Sequence, residues 1–268
     1  MRRAIPRLCF ALLAGSTLVP VAAQEPRAAA RDTVKKWQDA VVNVRIVLTM
    51  RMSMGGREMN SSDESVDTVG TVIHPSGLTV LSLSTMNPGA MMTRIMGSAG
   101  GSGAQVGITS EPTDVKMRLP DGREFTAKIV LRDEDLDLAF IRPTSPLDKP
   151  LVAVNLAESA RPSLLDEVVV ISRLGRVGGW TSAASLHGIG AVIEKPRTFF
   201  VLSGTPTAMG TPAFSPDGRI VGLLTMRQVD AGRSGMFAMI GGTEGLGLLA
   251  VILPAADVME IAKQAPEK

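Results

Sequence analysis

The sequence predicts an all-β protein built from antiparallel β-barrels, with one short helix near its C-terminus. Three observations support this fold class. Many short runs are rich in Val, Ile, Leu and Thr, turns containing Pro and Gly separate these runs, and a helical pattern with Pro254 near its start follows the last run.

Three turns share one pattern, in which a Gly follows two residues after a Pro between two strand-like runs. They lie at residues 74–77, 119–122 and 215–218. Pro presets φ for a turn and Gly supplies a positive φ at its end. Each turn therefore predicts a β-hairpin, pairing residues 69–73 with 78–83, 115–119 with 125–131, and 212–214 with 220–225.

The remaining segments are assigned by periodicity and composition. Residues 41–52 alternate as a strand, with Val42, Val44, Ile46 and Leu48 on one face. Further strands are predicted at 168–172, 183–193 and 198–202, loops at 53–67 and 86–105, and a short helix or turn at 33–41. Residues 143–150 contain three prolines. We interpret them as a linker between a first barrel at 41–142 and a second barrel with the C-terminal helix at 151–268.

Composition limits the classes of partner. The chain has 268 residues, 45% of them hydrophobic and 20% charged, with a formal net charge of +2. These values are typical of a globular protein with a sizeable core. Because the balance of charge is nearly neutral, we expect no nucleic-acid partner.

The N-terminus has the pattern of a secretory signal peptide at residues 1–23. Arg2, Arg3 and Arg7 precede an apolar stretch at residues 8–18, and Val21 and Ala23 provide small side chains before a cleavage point. The stretch is too short to span a membrane. We therefore expect a periplasmic or extracellular protein with no membrane span after signal removal and with a leader at residues 24–40.

Signal removal would also take away the only cysteine, Cys9. The mature chain would then have no disulfide, no Cys nucleophile and no Cys metal ligand. We expect neither a cofactor nor a resident metal.

Four segments, taken in order, resemble the trypsin-like serine peptidases of the HtrA-type branch. Residues 69–84, VGTVIHPSGLTVLSLS, lie over the family's strand, Asp-Gly turn and strand ending in His. The Asp-Leu-Ala strand is matched by residues 137–141, DLAFI, the Gly-Asn-Ser-Gly-Gly-Pro loop by residues 207–212, TAMGTP, and the closing strand by residues 247–254, GLLAVILP. The resemblance implies two six-stranded antiparallel β-barrels of the trypsin-like type, as a peptidase domain without a PDZ domain.

The same resemblance implies that the catalytic triad is lost. Ser84 stands at the position of the family's His, Asp137 at that of its Asp, and Met209 at that of its nucleophilic Ser. A serine hydroxyl is no general base near neutral pH, and a thioether forms no acyl-enzyme. We therefore expect no intact catalytic residue.

The oxyanion loop is also expected to be degenerate over Thr207, Ala208, Met209, Gly210 and Thr211. Thr207 and Thr211 replace two glycines of the family's pattern. Because β-branched residues resist a positive φ, we expect these two substitutions to distort the loop.

Three functions remain open from the sequence. The first is a pseudoprotease that binds a polypeptide partner in the former cleft and at the edge of the second barrel by strand addition. The second is an active serine endopeptidase with a displaced catalytic set that uses His187. The third is a copper-binding protein, because Met50, Met52, Met54 and Met59 cluster, as do Met86, Met91, Met92 and Met96, and thioethers are soft ligands for Cu(I).

Overall fold

The computed structural model describes residues 25–54, 57–86, 88–89, 106–205, 208–228 and 248–267. The signal peptide predicted at residues 1–23 lies outside these residues. Within them, no helix is long and apolar enough to cross a bilayer.

The first half of the chain forms a closed six-stranded antiparallel barrel, here barrel 1. Its strands follow the order β1-β2-β3-β6-β5-β4 around the barrel. They are β1 (Val41–Met54), β2 (Arg57–Val72), β3 (Thr79–Ser82), β4 (Val106–Arg118), β5 (Glu124–Asp133) and β6 (Leu138–Pro143). Between β3 and β4 lies a helical turn, α2 (Leu83–Met86).

The second half forms another closed six-stranded antiparallel barrel, here barrel 2, with the order β10-β11-β12-β9-β8-β7. Its strands are β7 (Glu167–Arg173), β8 (Ser182–Ile193), β9 (Phe199–Leu202), β10 (Pro212–Phe214), β11 (Ile220–Gln228) and β12 (Leu248–Pro254). A C-terminal helix, α3 (Ala255–Ala262), follows β12 directly. The two-barrel fold and the helix predicted from the sequence are confirmed. Because barrel 2 closes, the edge at which strand addition was expected is paired within the barrel.

The three hairpins expected from the turns are present as antiparallel pairs of β2 with β3, β4 with β5, and β10 with β11. Gly77, Gly122 and Gly218 each have a positive φ in these turns. The assignment of residues 143–150 as the linker stays a prediction. The segment just after it still contacts barrel 1, since the Leu151 and Val154 N–H groups donate to the carbonyls of Pro75 and Val72.

Two sequence assignments are wrong. Most of the segment predicted as a loop at 53–67 belongs to β2, and β4 begins at Val106 rather than at Val115. The residues from Arg57 to Ser65 are all exposed. The sequence of this stretch therefore lacks the alternation of apolar and polar residues by which a strand is predicted. Backbone pairing with β1 defines the strand where its side chains are exposed, from Arg57 to Ser65.

The leader predicted at 24–40 is also more ordered than the sequence indicates, since helix α1 (Glu25–Trp37) occupies most of it. This helix packs on barrel 2. The Trp37 ring stacks on Phe214 with centroids 5.7 Å apart, and its Nε1 donates to the Gly218 carbonyl at 2.9 Å. The Thr33 hydroxyl donates to the Pro216 carbonyl at 2.9 Å.

A shared hydrophobic core joins the two barrels. Side chains from both barrels pack into one buried cluster, which includes Val69, Val80 and Phe140 from barrel 1 and Phe214, Leu223 and Leu253 from barrel 2. Separate clusters fill the interior of each barrel. The two barrels therefore share buried hydrophobic packing across the surface between them.

One buried guanidinium reinforces this junction. From the end of β7, Arg173 donates to the carbonyl of Val41 at 2.5 Å, to that of Gln38 at 2.8 Å and to that of Trp180 at 3.2 Å. Its side chain is 6% exposed, and burial lowers its pKa while nearby Asp39 opposes that shift. Arg173 thus fixes the start of barrel 1 against a loop of barrel 2.

Replacing Arg173 with Leu should lower the free energy of unfolding by about 2–4 kcal/mol, because buried carbonyls lose their donor. The unfolding free energy of Arg173→Lys should lie between those of the wild type and Arg173→Leu, since one ammonium group cannot contact all three carbonyls. Chemical denaturation measures the change. Arg132, exposed on β5, provides the control, and Arg132→Leu should change stability by less than about 0.5 kcal/mol. Equal losses in the two Leu variants would contradict the role assigned to Arg173.

Candidate active site

Asp137 is a buried carboxylate at the junction of the two barrels. It lies between β5 and β6, is 7% exposed and has a φ of 58°, in the left-handed region that non-glycine residues seldom occupy. The backbone is therefore held in an uncommon conformation that turns this side chain inward.

Four hydrogen bonds reach the Asp137 carboxylate from three elements. Its Oδ1 accepts the Ser84 N–H at 2.6 Å. Its Oδ2 accepts the Ser82 hydroxyl at 2.5 Å, the Met226 N–H at 2.7 Å and the Ser84 hydroxyl at 3.2 Å. Because Met226 belongs to β11 and the serines to β3 and α2, this one side chain connects both barrels.

Ser82 and Ser84 also contact each other, with their hydroxyl oxygens 2.8 Å apart. Two hydroxyl protons cannot fill three O–O contacts around an ionised carboxylate. The Ser82 hydroxyl proton goes to Asp137, and the Ser84 hydroxyl proton is shared between the Ser82 oxygen and Asp137 Oδ2. The carboxylate therefore orients two hydroxyls, neither of which is a base.

Burial raises the pKa of the Asp137 carboxyl above its ordinary value, and the hydrogen bonds from Ser82, Met226 and Ser84 oppose this shift. A charged carboxylate at this depth is therefore less favourable than one in water, although donors surround it.

Met209 lies in a tight turn whose backbone is packed against the end of β3. The next residue, Gly210, has a φ of 76°, and its N–H donates to the Leu224 carbonyl at 2.7 Å. A Cβ at Gly210 would lie 2.7 Å from the Val69 carbonyl oxygen and 3.0 Å from the Ser82 nitrogen. Only glycine fits this position, and its close approach brings the Met209 turn beside the serines that contact Asp137.

The Met209 side chain is partly buried and packs against the interior cluster of barrel 2. The Thr211 hydroxyl donates to the Ala208 carbonyl at 2.8 Å and closes the turn. Thr211 is not among the residues with positive φ, a conformation that Gly210 adopts instead. The distortion of the loop expected at Thr211 stays a prediction. Thr207 lies outside the described residues.

His187 has a partner that the sequence did not indicate. Its Nε2 lies 2.8 Å from the Ser185 hydroxyl, two residues earlier on β8, and its Nδ1 lies 3.5 Å from the Ser203 carbonyl. Both side chains lie on the face of β8 whose strand partners, Val168 and Val170, belong to the interior cluster of barrel 2, and both remain partly exposed. The Ser-x-His spacing on a strand was the available signal. The other histidine, His74, contacts the Ser76 hydroxyl in an exposed turn.

The methionines of β1 share one face, as their spacing of two predicts. Met50 packs against the barrel 1 core, while Met52 and Met54 are 45% and 48% exposed. Met59 on β2 is 65% exposed, and Met86 is buried. Met91, Met92 and Met96 lie outside the described residues. Copper binding by these thioethers stays a prediction. Among the described residues, no cluster of three or more His, Cys, Asp or Glu could hold a metal ion.

The raised pKa of Asp137 makes stability depend on pH. The folded-state pKa lies above the unfolded-state value of about 4. The stability that the protonated Asp137 carboxyl contributes is therefore complete below about pH 4 and declines as the pH rises through the folded-state pKa. Asn at this position does not titrate. The unfolding free energy of the wild type minus that of Asp137→Asn should therefore be larger at about pH 4 than at pH 7. Denaturant titration of both proteins at the two pH values measures this difference. A difference that is flat, or grows toward pH 7, would contradict a raised pKa.

Comparison with known proteins agrees with this geometry. The family model described as a trypsin-like peptidase domain matches residues 70–223, more than half of the chain. A solved structure, the serine endoprotease from Yersinia pestis, is similar with a TM-score of 0.54 at 15% identity. The match covers 88% of this chain and 65% of that one, and at this identity it shows the fold alone. No curated protein matches the sequence significantly. The chain belongs to the trypsin-like peptidase domain family.

Proposed function

We propose that this protein is an exported pseudoprotease, a noncatalytic member of its family that binds a polypeptide partner. The observation that supports this most directly is the contact between Ser84 and Asp137. The side chain that the buried carboxylate orients is a hydroxyl, where triad chemistry requires a base.

The chemistry of each position supports the same conclusion. A triad needs a base to take the proton of the nucleophile and a carboxylate to orient that base. Asp137 keeps the orienting geometry, but Ser84 cannot accept a proton near neutral pH. Met209 directs a thioether into the barrel 2 core, so the turn carries no nucleophile.

Export is proposed from the N-terminal sequence alone. The three arginines, the short apolar stretch and the small residues before Gln24 have the order of a cleavable signal. A polypeptide partner is proposed because proteins commonly bind extended chains by adding them as a strand to an exposed sheet edge.

Fluorophosphonate labelling and casein hydrolysis test the absence of catalysis. The natural protein should neither label nor cut, because loss of base and nucleophile together lowers triad catalysis by about 10⁶-fold. Ser84→His with Met209→Ser should gain labelling at residue 209 if these are the triad positions. Ser84→Ala with Met209→Ser, which lacks a base, provides the control. Labelling of the natural protein would contradict the proposal.

The contact between Ser185 and His187 favours a second candidate, an active serine hydrolase with a displaced catalytic set. If the His187 Nδ1–H donates to the Ser203 carbonyl, Nε2 is free to accept the Ser185 proton during acyl transfer. This pair would act at the interior face of barrel 2, apart from Asp137.

If this candidate is correct, the natural protein labels with fluorophosphonate, and peptide mapping places the label on Ser185. His187→Ala should then reduce labelling at least about 10²-fold, as expected when a general base is lost. His74→Ala is the matched control, because His74 contacts a serine hydroxyl at the same 2.8 Å in a turn of barrel 1. Labelling that survives in His187→Ala, or that falls equally in both variants, excludes this pair.

A further inference from the structure

Part of barrel 1 extends beyond the barrel as a three-stranded ribbon, here the β-arm, formed by residues 47–66 and 106–114. In it, β1 pairs with β2 from Val41 to Met54 and with β4 from Asn43 to Met54. By contrast, β2 pairs with β3 only at Thr71 and Val72, and β4 pairs with β5 only from Lys116 to Arg118. The β-arm therefore has two outer edges, one along β2 and one along β4.

The β4 edge carries features that discourage further pairing. Pro112 lies in β4 beside a register shift and offers no N–H to a neighbouring strand. The backbone of Gly89 also approaches this strand, since a Cβ there would lie 3.1 Å from Ile108 Cγ2. A proline, a bulge and a neighbouring segment are the usual devices that protect an edge strand.

Within the part of the chain that the structure describes, the β2 edge has one of these devices, a register shift that leaves Met59 unpaired, and from Asn60 onward β2 pairs with β1 without a further shift. No proline occurs between Arg57 and Val72, and every residue from Arg57 to Ser65 is exposed. The side-chain contacts of this stretch run back to β1, where Asp63 accepts the Thr49 hydroxyl at 2.6 Å. Every second residue of β2 thus presents its N–H and C=O outward.

The charge of this edge selects the partner. Between residues 57 and 66, β2 has three acidic side chains, Glu58, Asp63 and Glu64, and one basic side chain, Arg57. Asp67, just beyond this stretch, is already paired with Arg45 at 2.9 Å. Asp63 and Glu64 are adjacent, so they point to opposite faces and make both faces acidic. A second copy of this chain would place one acidic strand beside another, which is unfavourable.

We propose that the outer edge of β2, from Arg57 to Val66, binds an extended basic segment of a partner polypeptide as an added β-strand. Backbone hydrogen bonds hold the added strand, and lysine or arginine side chains on its two faces pair with the acidic residues. This inference names the partner class and the surface for the proposed binding role. It does not depend on the triad positions, so the labelling assays and the assay below can fail separately.

The experiment measures fluorescence anisotropy with the full protein and a labelled eight-residue peptide, Thr-Lys-Lys-Thr-Val-Lys-Lys-Thr. This peptide should bind, and a version with Glu in place of every Lys should not. Two N-methylated versions, each blocking the N–H groups of one peptide edge, test the backbone ladder. One of them should lose binding while the other keeps it, because an added strand uses only one of its edges.

Charge reversal locates the site. Glu58→Lys with Glu64→Lys should weaken the lysine peptide at least about tenfold, because two attractions become repulsions. Glu134→Lys with Glu260→Lys is the control. It changes the net charge equally at exposed positions away from β2 and should change affinity less than about threefold.

Four results would overturn the proposal. They are no binding of the lysine peptide, equal binding of both N-methylated peptides, equal losses in the two charge-reversal variants, and a dimer in sedimentation that Glu58→Lys with Glu64→Lys abolishes. The second and third would indicate charge attraction without strand pairing, and the fourth would make a second copy the occupant.

Discussion

The carboxylate of Asp137 is the group around which the junction of the two barrels is organised. It draws donors from the end of β3, from α2 and from β11, so it fixes three chain segments with one side chain. Its own backbone is held at a positive φ to do so. A buried charge is stable only when its acceptor positions are filled. The surrounding serines and the Met226 N–H meet that requirement here without a histidine.

This arrangement shows how hydroxyl and amide groups can hold the junction together. The orienting acid needs donors, and hydroxyl and amide groups serve that need as well as an imidazole does. Likewise, the turn around Met209 needs a glycine at one position only, and Gly210 supplies it. The demands of folding at this junction are therefore met by Ser84, Met209 and Thr211.

The sequence predicted the features that local chemistry determines. Pro-x-Gly turns specified the hairpins, and the four family-like segments specified both barrels and the position of Asp137. Features held together by backbone pairing or by distant packing escaped prediction. The polar half of β2 has no alternation because neither face is buried. Helix α1 depends on contacts with residues about 180 positions away. The contact between Ser185 and His187 arises because alternate residues of β8 lie on the same face of the strand.

The packing of α1 on barrel 2 has a consequence for the order of events during synthesis. The carbonyls that Thr33 and Trp37 contact belong to Pro216 and Gly218, and these residues leave the ribosome long after the helix does. The N-terminal segment thus has no docking site until most of the chain has emerged, and such long-range contacts form slowly. Helix α1 therefore completes its packing only after β10 and the turn that follows it have been synthesised.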